Sequence, residues 1–236
     1  DKYYKWACGK GHCMLIGDVL DRGDGVGPIL WLLYKRGEEA RTASGAFNIR
    51  LGNREEMVLR NELRYMTPKY VTLDRVLGMK HGDLYGLQSE LGRWLRTRNT
   101  IEIIGNDLYV HASLSKKFAE KEWSIPILNE KVSSLVDKTK KERDDSGLGE
   151  LFRSDGPLWY RGLVEPDETY VEMSSEDLDK ILGDYGGGRI FVGHTSFPDV
   201  TCFHDVRVIG VNVDNKANID AGLGRGLLIE KGVVYR

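Results

Sequence analysis

The first half of the chain alternates short apolar runs with segments of amphipathic character. Residues His12–Gly17 and Ala46–Leu51 have the composition of buried strands. After each run, apolar positions recur with helical spacing, which predicts helices over Val26–Arg36 and Glu55–Leu63. This strand–helix–strand–helix order predicts an α/β fold, in which ligands bind at the carboxyl ends of the strands.

The second half predicts a hairpin, a polar insertion and closely spaced late strands. A tight turn joins strands at Thr100–Ile104 and Leu108–His111. Residues 115–158 are rich in lysine and glutamate, which predicts a helical insertion. Further helices are expected over Ser89–Arg98 and Ser174–Leu182, with Ser174 or Ser175 as the N-cap. Late strands are predicted at Arg189–Val192, Val200–Phe203, Val206–Val213, Gly226–Glu230 and Gly232–Tyr235. The pattern predicts one domain over residues 1–236, with two packed mixed β-sheets flanked by helices.

Composition narrows the class of protein without adding a function. The chain has 236 residues, 41% of them hydrophobic and 30% charged, with a net charge of -2. This balance is that of an ordinary globular domain, and it gives no basic surface for nucleic acid. Three cysteines without paired spacing predict neither a disulfide framework nor a thiolate zinc site. We recognise no membrane-spanning run and no signal peptide. The sequence leaves the compartment and oligomeric state open, with a cytoplasmic location favoured.

Four predicted strands end in a residue type that binds metal ions: Asp18, Asn53, His111 and His194. A carboxylate, an amide oxygen and two imidazoles suit manganese, iron or zinc better than calcium. Each residue alone has a structural alternative, and the stretch G-D-V-L-D-R-G around Asp18 could be a polar turn before a helix. The coincidence of all four at strand ends favours a metal site.

Four motifs stand in the order used by a known group of enzymes: G-D-V-L-D-R-G, G-N-R-E, V-H-A-S and V-G-H-T. The chain therefore resembles the phosphoprotein phosphatases of the calcineurin-like metallophosphoesterase superfamily. The segments R-Y-M-T-P-K-Y, E-L-G-R-W-L-R and L-W-Y-R-G are most similar to its Shewanella-like branch. The resemblance implies the metallophosphoesterase β-sandwich and hydrolysis of phosphomonoesters, on serine/threonine phosphoproteins, by direct attack of a metal-bound hydroxide.

The resemblance also assigns roles to particular residues. Asp18 would bridge two divalent metal ions, and Asn53, His111 and His194 would complete the second metal's ligands. The phosphate oxygens would be bound by Arg22 and Arg161, which suits the bidentate donors of a guanidinium. A structural alternative for Arg161 is stacking on Trp159 or Tyr160, and for Arg22 it is a surface salt bridge.

Position 54 departs from the family pattern, in which the motif is G-N-H-E. The family's histidine protonates the leaving group with help from the aspartate that corresponds to Asp21. Arg54 cannot release a proton near neutral pH, because its pKa stays above about 12. We therefore group Asp21, Arg54 and Glu55 as catalytic candidates, and expect weak turnover of alkyl phosphates with less impairment on aryl phosphates.

The family's D-x-H motif, which supplies the other ligands of the first metal, is absent from the 236 residues. We expect that a segment carrying this strand precedes residue 1. The family's H-G-G is H-A-S here, which leaves His111 in place. Two alternative functions stay open: a phosphate-binding module without turnover, and a phosphohydrolase of small molecules such as dinucleoside polyphosphates. His12, His81 and His204 are expected to be solvated or hydrogen-bonded residues rather than ligands.

Overall fold

A computed structural model of the protein describes residues 4–214 and 216–236. The chain divides into two compact units. The first unit comprises Asp1–Asn99 and Ser133–Thr139, and the second comprises Thr100–Val132 and Lys140–Arg236. The predictions of a single domain and of a separate insertion at residues 115–158 stay predictions.

The first unit is built around two parallel strands, β1 (His12–Leu15) and β2 (Ala46–Ile49), with Leu15 opposite Ile49. In the described part of the chain, β1 pairs with β2 alone. Each strand leads through a short loop into a helix, as the pattern predicts. The helices described up to residue 99 are α1 (Val26–Thr42), α2 (Asn53–Leu59), α3 (Pro68–Leu77), α4 (His81–Leu84) and α5 (Glu90–Arg96).

Helix α1 is longer than predicted: it continues past Arg36 through Gly37, which does not break it, and ends at Thr42, before the turn at Ser44 and Gly45. Arg36 is buried and pairs with Glu39 one turn later, so a charged position continues the helix. Ser44 adopts a left-handed backbone with φ of 58°, and a β-carbon on Gly45 would collide with the carbonyl oxygens of Gly9 and Gly11. The helix therefore ends where the chain requires glycine.

A mixed five-stranded sheet forms the centre of the second unit. Its strands are β3 (Ile101–Ile104), β4 (Asp107–Val110), β5 (Arg189–Val192), β6 (Thr201–Phe203) and β7 (Val208–Gly210), in the order β3-β4-β5-β7-β6. The pairs β3–β4 and β6–β7 are antiparallel, while β5 lies parallel to both neighbours. A separate antiparallel hairpin joins β8 (Leu228–Glu230) to β9 (Val233–Tyr235).

The segment between β4 and β5 is mostly helical, as its composition predicts. It contains α6 (Lys116–Ala119), α7 (Ile125–Leu135), α8 (Lys140–Asp145), a 3-10 turn at Gly149–Phe152 and α9 (Ser175–Tyr185); α10 (Lys216–Asp220) follows later. The hydroxyl of Ser174 accepts a hydrogen bond from the amide of Asp177, which confirms Ser174 as the N-cap of α9. None of the helices in the described ranges is long and apolar enough to span a bilayer.

The hydrophobic core of the second unit lies between the sheet and these helices. Leu108 and Val110 of β4 pack in one cluster with Ile190 and Val192 of β5 and with Leu178 of α9, all fully buried. Burying each of these side chains contributes about 1.5–3 kcal/mol. The mixed α/β architecture with helix-flanked sheets is thus confirmed, while the packing of two sheets on each other stays a prediction.

Candidate active site

The loop after β1 holds several residues in an unusual backbone conformation. Gly17, Asp18, Asp21 and Arg22 have φ angles of 82°, 58°, 67° and 56°. Non-glycine residues seldom occupy the left-handed region, and each costs about 1–3 kcal/mol unless the surroundings enforce it. Such strain concentrates at functional sites, so the loop G-D-V-L-D-R-G is more than a simple turn before α1.

The buried carboxylate of Glu55 enforces this loop conformation. Its Oε1 accepts hydrogen bonds from the amides of Val19 and Leu20 at 2.8 and 3.0 Å. Its Oε2 accepts from the amides of Asp18 and Gly52 at 2.8 and 2.7 Å. One side chain thereby joins the loop after β1 to the loop after β2. These bonds make Glu55 a residue that positions the site, with its charge fully engaged by backbone donors.

The loop after β2 lies directly against Asp18. A β-carbon on Gly52 would collide with the backbone nitrogen and Oδ1 of Asp18 and with Oε2 of Glu55. The Arg54 amide donates to Oδ1 of Asp18 at 3.1 Å. Asn53, between Gly52 and Arg54, is only 1% exposed. The first unit thus brings Asp18 and Asn53, the ligand-type residues of neighbouring parallel strands, to one edge of the β1–β2 pair.

The guanidinium of Arg54 lies on the ring of Tyr65, with 3.7 Å between Cζ and the ring centroid. Its Nε is 3.9 Å from Oδ2 of Asp18. Burial raises the pKa of the Asp21 carboxyl, and the negative charge of Asp18 adds to the effect, although the charges of Arg54, His81 and Arg22 oppose it. Position 54 therefore carries a fixed positive charge close to two aspartates, as the sequence predicts.

In the second unit, the carboxyl ends of β4 and β5 bring two histidines together. Val110 is opposite Val192 in the parallel register, so His111 and His194 leave adjacent strands at the same edge. Their ring centroids are 5.1 Å apart, and the amide of Gly193 donates to the carbonyl of His111 at 2.8 Å. His111 is 1% exposed, and His194 has a left-handed φ of 56°. The two imidazoles therefore lie side by side at this edge, while their role as metal ligands stays a prediction.

Trp159 contacts His194, and Arg161 follows Trp159 by two positions in the chain. The Trp159 ring packs edge-on at 5.7 Å from that of His194. Nη1 of Arg161 donates to Glu165 at 2.8 Å, and its Cζ is 5.9 Å from the Tyr170 ring. The structural alternative for Arg161 named Trp159 or Tyr160 as the stacking partner, whereas its observed neighbours are Glu165 and Tyr170.

The predicted site residues therefore fall into two groups, one in each unit. Asp18 in the first unit, and His111 and His194 in the second, are residue types that bind metal ions. The first group contains Asp18, Asp21, Arg22, Asn53, Arg54 and Glu55, and the second contains His111 and His194, with Arg161 further along the chain. That the two groups share metal ions and a phosphate stays a prediction.

Sequence reasoning missed Tyr65 and misplaced His81. His81 was expected in a loop, but it begins α4 and is 4% exposed. Its ring lies 5.5 Å from Tyr70 and 5.3 Å from Tyr85, and its Nδ1 is 3.4 Å from Asp74. No local pattern signals these contacts. His12 is exposed and the Nε2 of His204 lies 3.0 Å from the carbonyl of Leu163, as expected for a solvated and a hydrogen-bonded residue.

Solved structures with the same fold are phosphatases. A cold-active protein-tyrosine phosphatase of a psychrophilic Shewanella species is 34% identical, with a TM-score of 0.90 over 99% of this chain and 69% of that one. A second structure of a cold-active protein tyrosine phosphatase is 33% identical, again with a TM-score of 0.90. A protein serine/threonine phosphatase from Saccharomyces cerevisiae is 16% identical with a TM-score of 0.52, and so shares the fold alone.

Curated relatives are more distant. Shewanella-like protein phosphatase 2 of Arabidopsis thaliana is 23% identical over 96% of this chain. An uncharacterised protein of Schizosaccharomyces pombe, C1840.07c, is 24% identical over 81% of it. The matches span 66% and 58% of the lengths of these two relatives. No protein-family profile matches the chain.

The helix-flanked mixed sheets match solved structures of the phosphoprotein-phosphatase-like metallophosphoesterase fold. At 34% identity over nearly its full length, the chain belongs to the Shewanella-like phosphatase family. It is thus related to phosphoprotein phosphatases.

Proposed function

We propose that this chain is a metal-dependent phosphomonoester hydrolase that acts on phosphoproteins. The observation that carries the proposal is the pair His111 and His194, which leave adjacent parallel strands with their rings 5.1 Å apart. Two imidazoles at such an edge, in a chain similar to phosphatases, suit a metal ion better than a structural role.

Asp18, Asn53, His111 and His194 are proposed as the metal ligands, with Asp18 bridging two ions of manganese, iron or zinc. The donor set fits these metals, because it combines oxygen with imidazole nitrogen. Asp18 and Asn53 are also held within one hydrogen-bonded loop pair by Glu55 and Gly52. When bound, such ions lower the pKa of a coordinated water and offset charge on the phosphoryl oxygens.

Arg22 and Arg161 are proposed to orient the phosphoryl group. Arg22 is exposed and makes no ion pair among the described residues, so its guanidinium is available to a ligand. Arg161 uses Nη1 for Glu165, but its Nε is buried without a hydrogen-bond partner in the described part of the chain. A phosphate oxygen would satisfy this donor, and charge-assisted bonds to phosphate are among the stronger ones.

The leaving group decides which substrates turn over well. Arg54 cannot donate a proton to a departing alkoxide, whereas a phenolate departs without one. We therefore propose faster hydrolysis of aryl esters such as phosphotyrosine, with slower hydrolysis of phosphoserine and phosphothreonine. A relative of 34% identity is a protein-tyrosine phosphatase, which supports this order.

The test compares phosphotyrosine and phosphoserine peptides in the presence of manganese, for wild type and Arg54→His. Arg54→His should raise kcat on phosphoserine by about 10²-fold or more, with a smaller gain in kcat on phosphotyrosine. Arg41→His, an exposed position paired with Glu38, is the control and should change neither. Equal gains on both peptides would contradict the role given to position 54.

A phosphate-binding module without turnover is the second candidate function. It is favoured by Arg54 in place of a proton donor and by the absence of D-x-H from the sequence. The test offers phosphopeptides to wild type and Arg54→His in the presence of manganese, iron or zinc. Binding without hydrolysis in every case would decide for the phosphate-binding module.

A further inference from the structure

Three arginines of the first unit surround one tyrosine ring. The Cζ atoms of Arg54, Arg22 and Arg64 lie 3.7, 5.3 and 5.9 Å from the centroid of Tyr65. Tyr65 is 38% exposed, so the group opens to solvent. We call these four residues the Tyr65 cluster. Guanidinium groups gathered around one ring repel one another unless anions or π-faces offset the repulsion. The face of the Tyr65 ring offsets only part of it.

Arg54 is the buried member of the Tyr65 cluster, and one of its donors has no acceptor. Its side chain is 10% exposed, and Nη1 is buried without a hydrogen-bond partner in the described residues. The distance of 3.9 Å between Nε and Asp18 is too long for a hydrogen bond. Because unsatisfied buried donors of charged groups are costly, a ligand acceptor at Nη1 would be stabilising.

The two other arginines differ in their availability. Nη2 of Arg64 is 3.1 Å from Oε2 of Glu62, so its charge already has a partner. Arg22 makes no ion pair among the described residues, and it shares the Tyr65 ring with Arg54. Stacking covers the face of each guanidinium and leaves its edge, where the N–H donors lie, for a ligand. Arg54 and Arg22 therefore form the anion-binding part of the Tyr65 cluster.

We propose that Arg54 and Arg22, gathered by the ring of Tyr65, bind a phosphate dianion without any metal ion. Tyr65 is the positioning residue, and Arg54 is a phosphate ligand in addition to Arg22. The choice of phosphate as the anion rests on the proposed function. A phosphate monoester or inorganic phosphate matches the planar forks of the two guanidiniums, because each guanidinium can donate two parallel N–H···O hydrogen bonds to phosphate oxygens.

The experiment measures inorganic phosphate binding to the chelator-treated full chain by isothermal calorimetry, with chloride held constant. Wild type should bind phosphate, and Arg54→Gln should weaken binding by about 10- to 100-fold. Tyr65→Leu should weaken it by about 3- to 30-fold, whereas Tyr65→Phe keeps the π-face and should bind like wild type. Arg64→Gln is the matched control and should lower affinity less than Arg54→Gln. Circular dichroism of each variant confirms that it is folded.

The outcomes separate this inference from the proposed function. If metal-free wild type binds no phosphate, or if Arg54→Gln binds it as well as wild type, the inference is overturned, even when the metal-loaded protein hydrolyses phosphotyrosine. If Tyr65→Phe loses as much affinity as Tyr65→Leu, the ring is not the positioning element. Metal-free binding with the expected variant order supports the inference even when no metal supports hydrolysis, in which case only the proposed function fails.

Discussion

The parallel strand pairs β1–β2 and β4–β5 both end in ligand-type residues but are stabilised in different ways. All four residues of β4 are buried, whereas β1 is half-buried to exposed. After β4 and β5 come two imidazoles beside Trp159. After β1 and β2 come two aspartates, two arginines and a buried glutamate. The edge of β1–β2 is thus charged, and the edge of β4–β5 is aromatic.

The difference shows two ways to hold ligands at a sheet edge. The β4–β5 pair is fixed by its register, with Arg189 bonding Asp107 through two parallel hydrogen bonds of 2.7 and 2.9 Å at the opposite ends of the strands. The β1–β2 edge depends on Glu55, which accepts the amides of both loops. A charged edge with strained loops needs a dedicated side chain, while an edge continuous with a packed core does not.

Glu55→Gln should therefore produce the largest loss of stability. The amide nitrogen of glutamine would face two backbone N–H donors that now bond a carboxylate oxygen, so those donors lose their acceptor. We expect a loss of about 2–4 kcal/mol in the free energy of unfolding, measured by urea denaturation. Glu38→Gln, on the exposed surface of α1, should lower the free energy of unfolding far less, because water screens its ion pair with Arg41. Equal losses would show that the charged edge needs no dedicated residue.

At the aromatic edge, His194→Asn should mainly affect metal binding. Asparagine tolerates the left-handed backbone of this position, whose φ is 56°, so the fold should persist. Loss of a direct ligand should lower manganese or zinc affinity by at least about 100-fold, measured by metal titration. His204→Asn, with a φ of 50° and a ring near the carbonyl of Leu163, is the matched control and should leave affinity unchanged. Unchanged affinity in His194→Asn would remove this residue from the proposed ligands.

Arg189→Lys tests how the β4–β5 pair is held at the ends of the strands that lie opposite the histidines. Lysine keeps the charge but loses the planar fork that bonds both oxygens of Asp107, a residue only 6% exposed. We expect a loss of about 1–2 kcal/mol in thermal or urea unfolding. Arg153→Lys, whose ion pair with Asp144 is exposed on both sides, should change stability by less than about 0.5 kcal/mol. Similar effects of both variants would mean that register does not depend on this pair.

The strands, most helices and the residues at strand ends could be predicted, because local sequence patterns indicate them. Apolar runs followed by a polar residue, with a glycine before it after β1, β2 and β5, placed these strands and β4 within two residues of their observed ends. Parallel neighbours share an edge, so Asp18 with Asn53, and His111 with His194, followed from strand order alone. Helix α1 was predicted too short, because a buried charge such as Arg36 gives no sequence signal of its ion pair.

The contacts that tune the site could not be predicted. Tyr65 reaches Arg54 and Arg22 from a loop between α2 and α3, and no spacing rule connects these three positions. His81 is buried between Tyr85, which follows it by one helical turn, and Tyr70, which belongs to α3 and has no local relation to it. Such contacts depend on how loops fold back in three dimensions, and local propensity carries no information about that.

The smallest effect is expected for Asp21→Asn, and its sign is stabilising. Burial raises the pKa of Asp21 in the folded state, so at neutral pH the ionised carboxylate disfavours folding. Removing that charge should therefore stabilise the metal-free protein at pH 7. The gain should shrink as the pH falls through the folded pKa of Asp21, and vanish below its unfolded pKa, where both forms are neutral.

Asp137→Asn provides the opposite case within the same unit. Burial alone would raise the pKa of Asp137, but its hydrogen bond from Arg96 and the charge of Lys138 outweigh burial and lower it. This substitution should therefore destabilise the protein at pH 7, and the loss should disappear as the pH falls through the folded pKa of Asp137. Thermal unfolding of both variants between pH 7 and pH 3 measures the two signs. A destabilising Asp21→Asn at neutral pH would mean that the charged edge, without metal, already balances its carboxylates with Arg54 and Arg22.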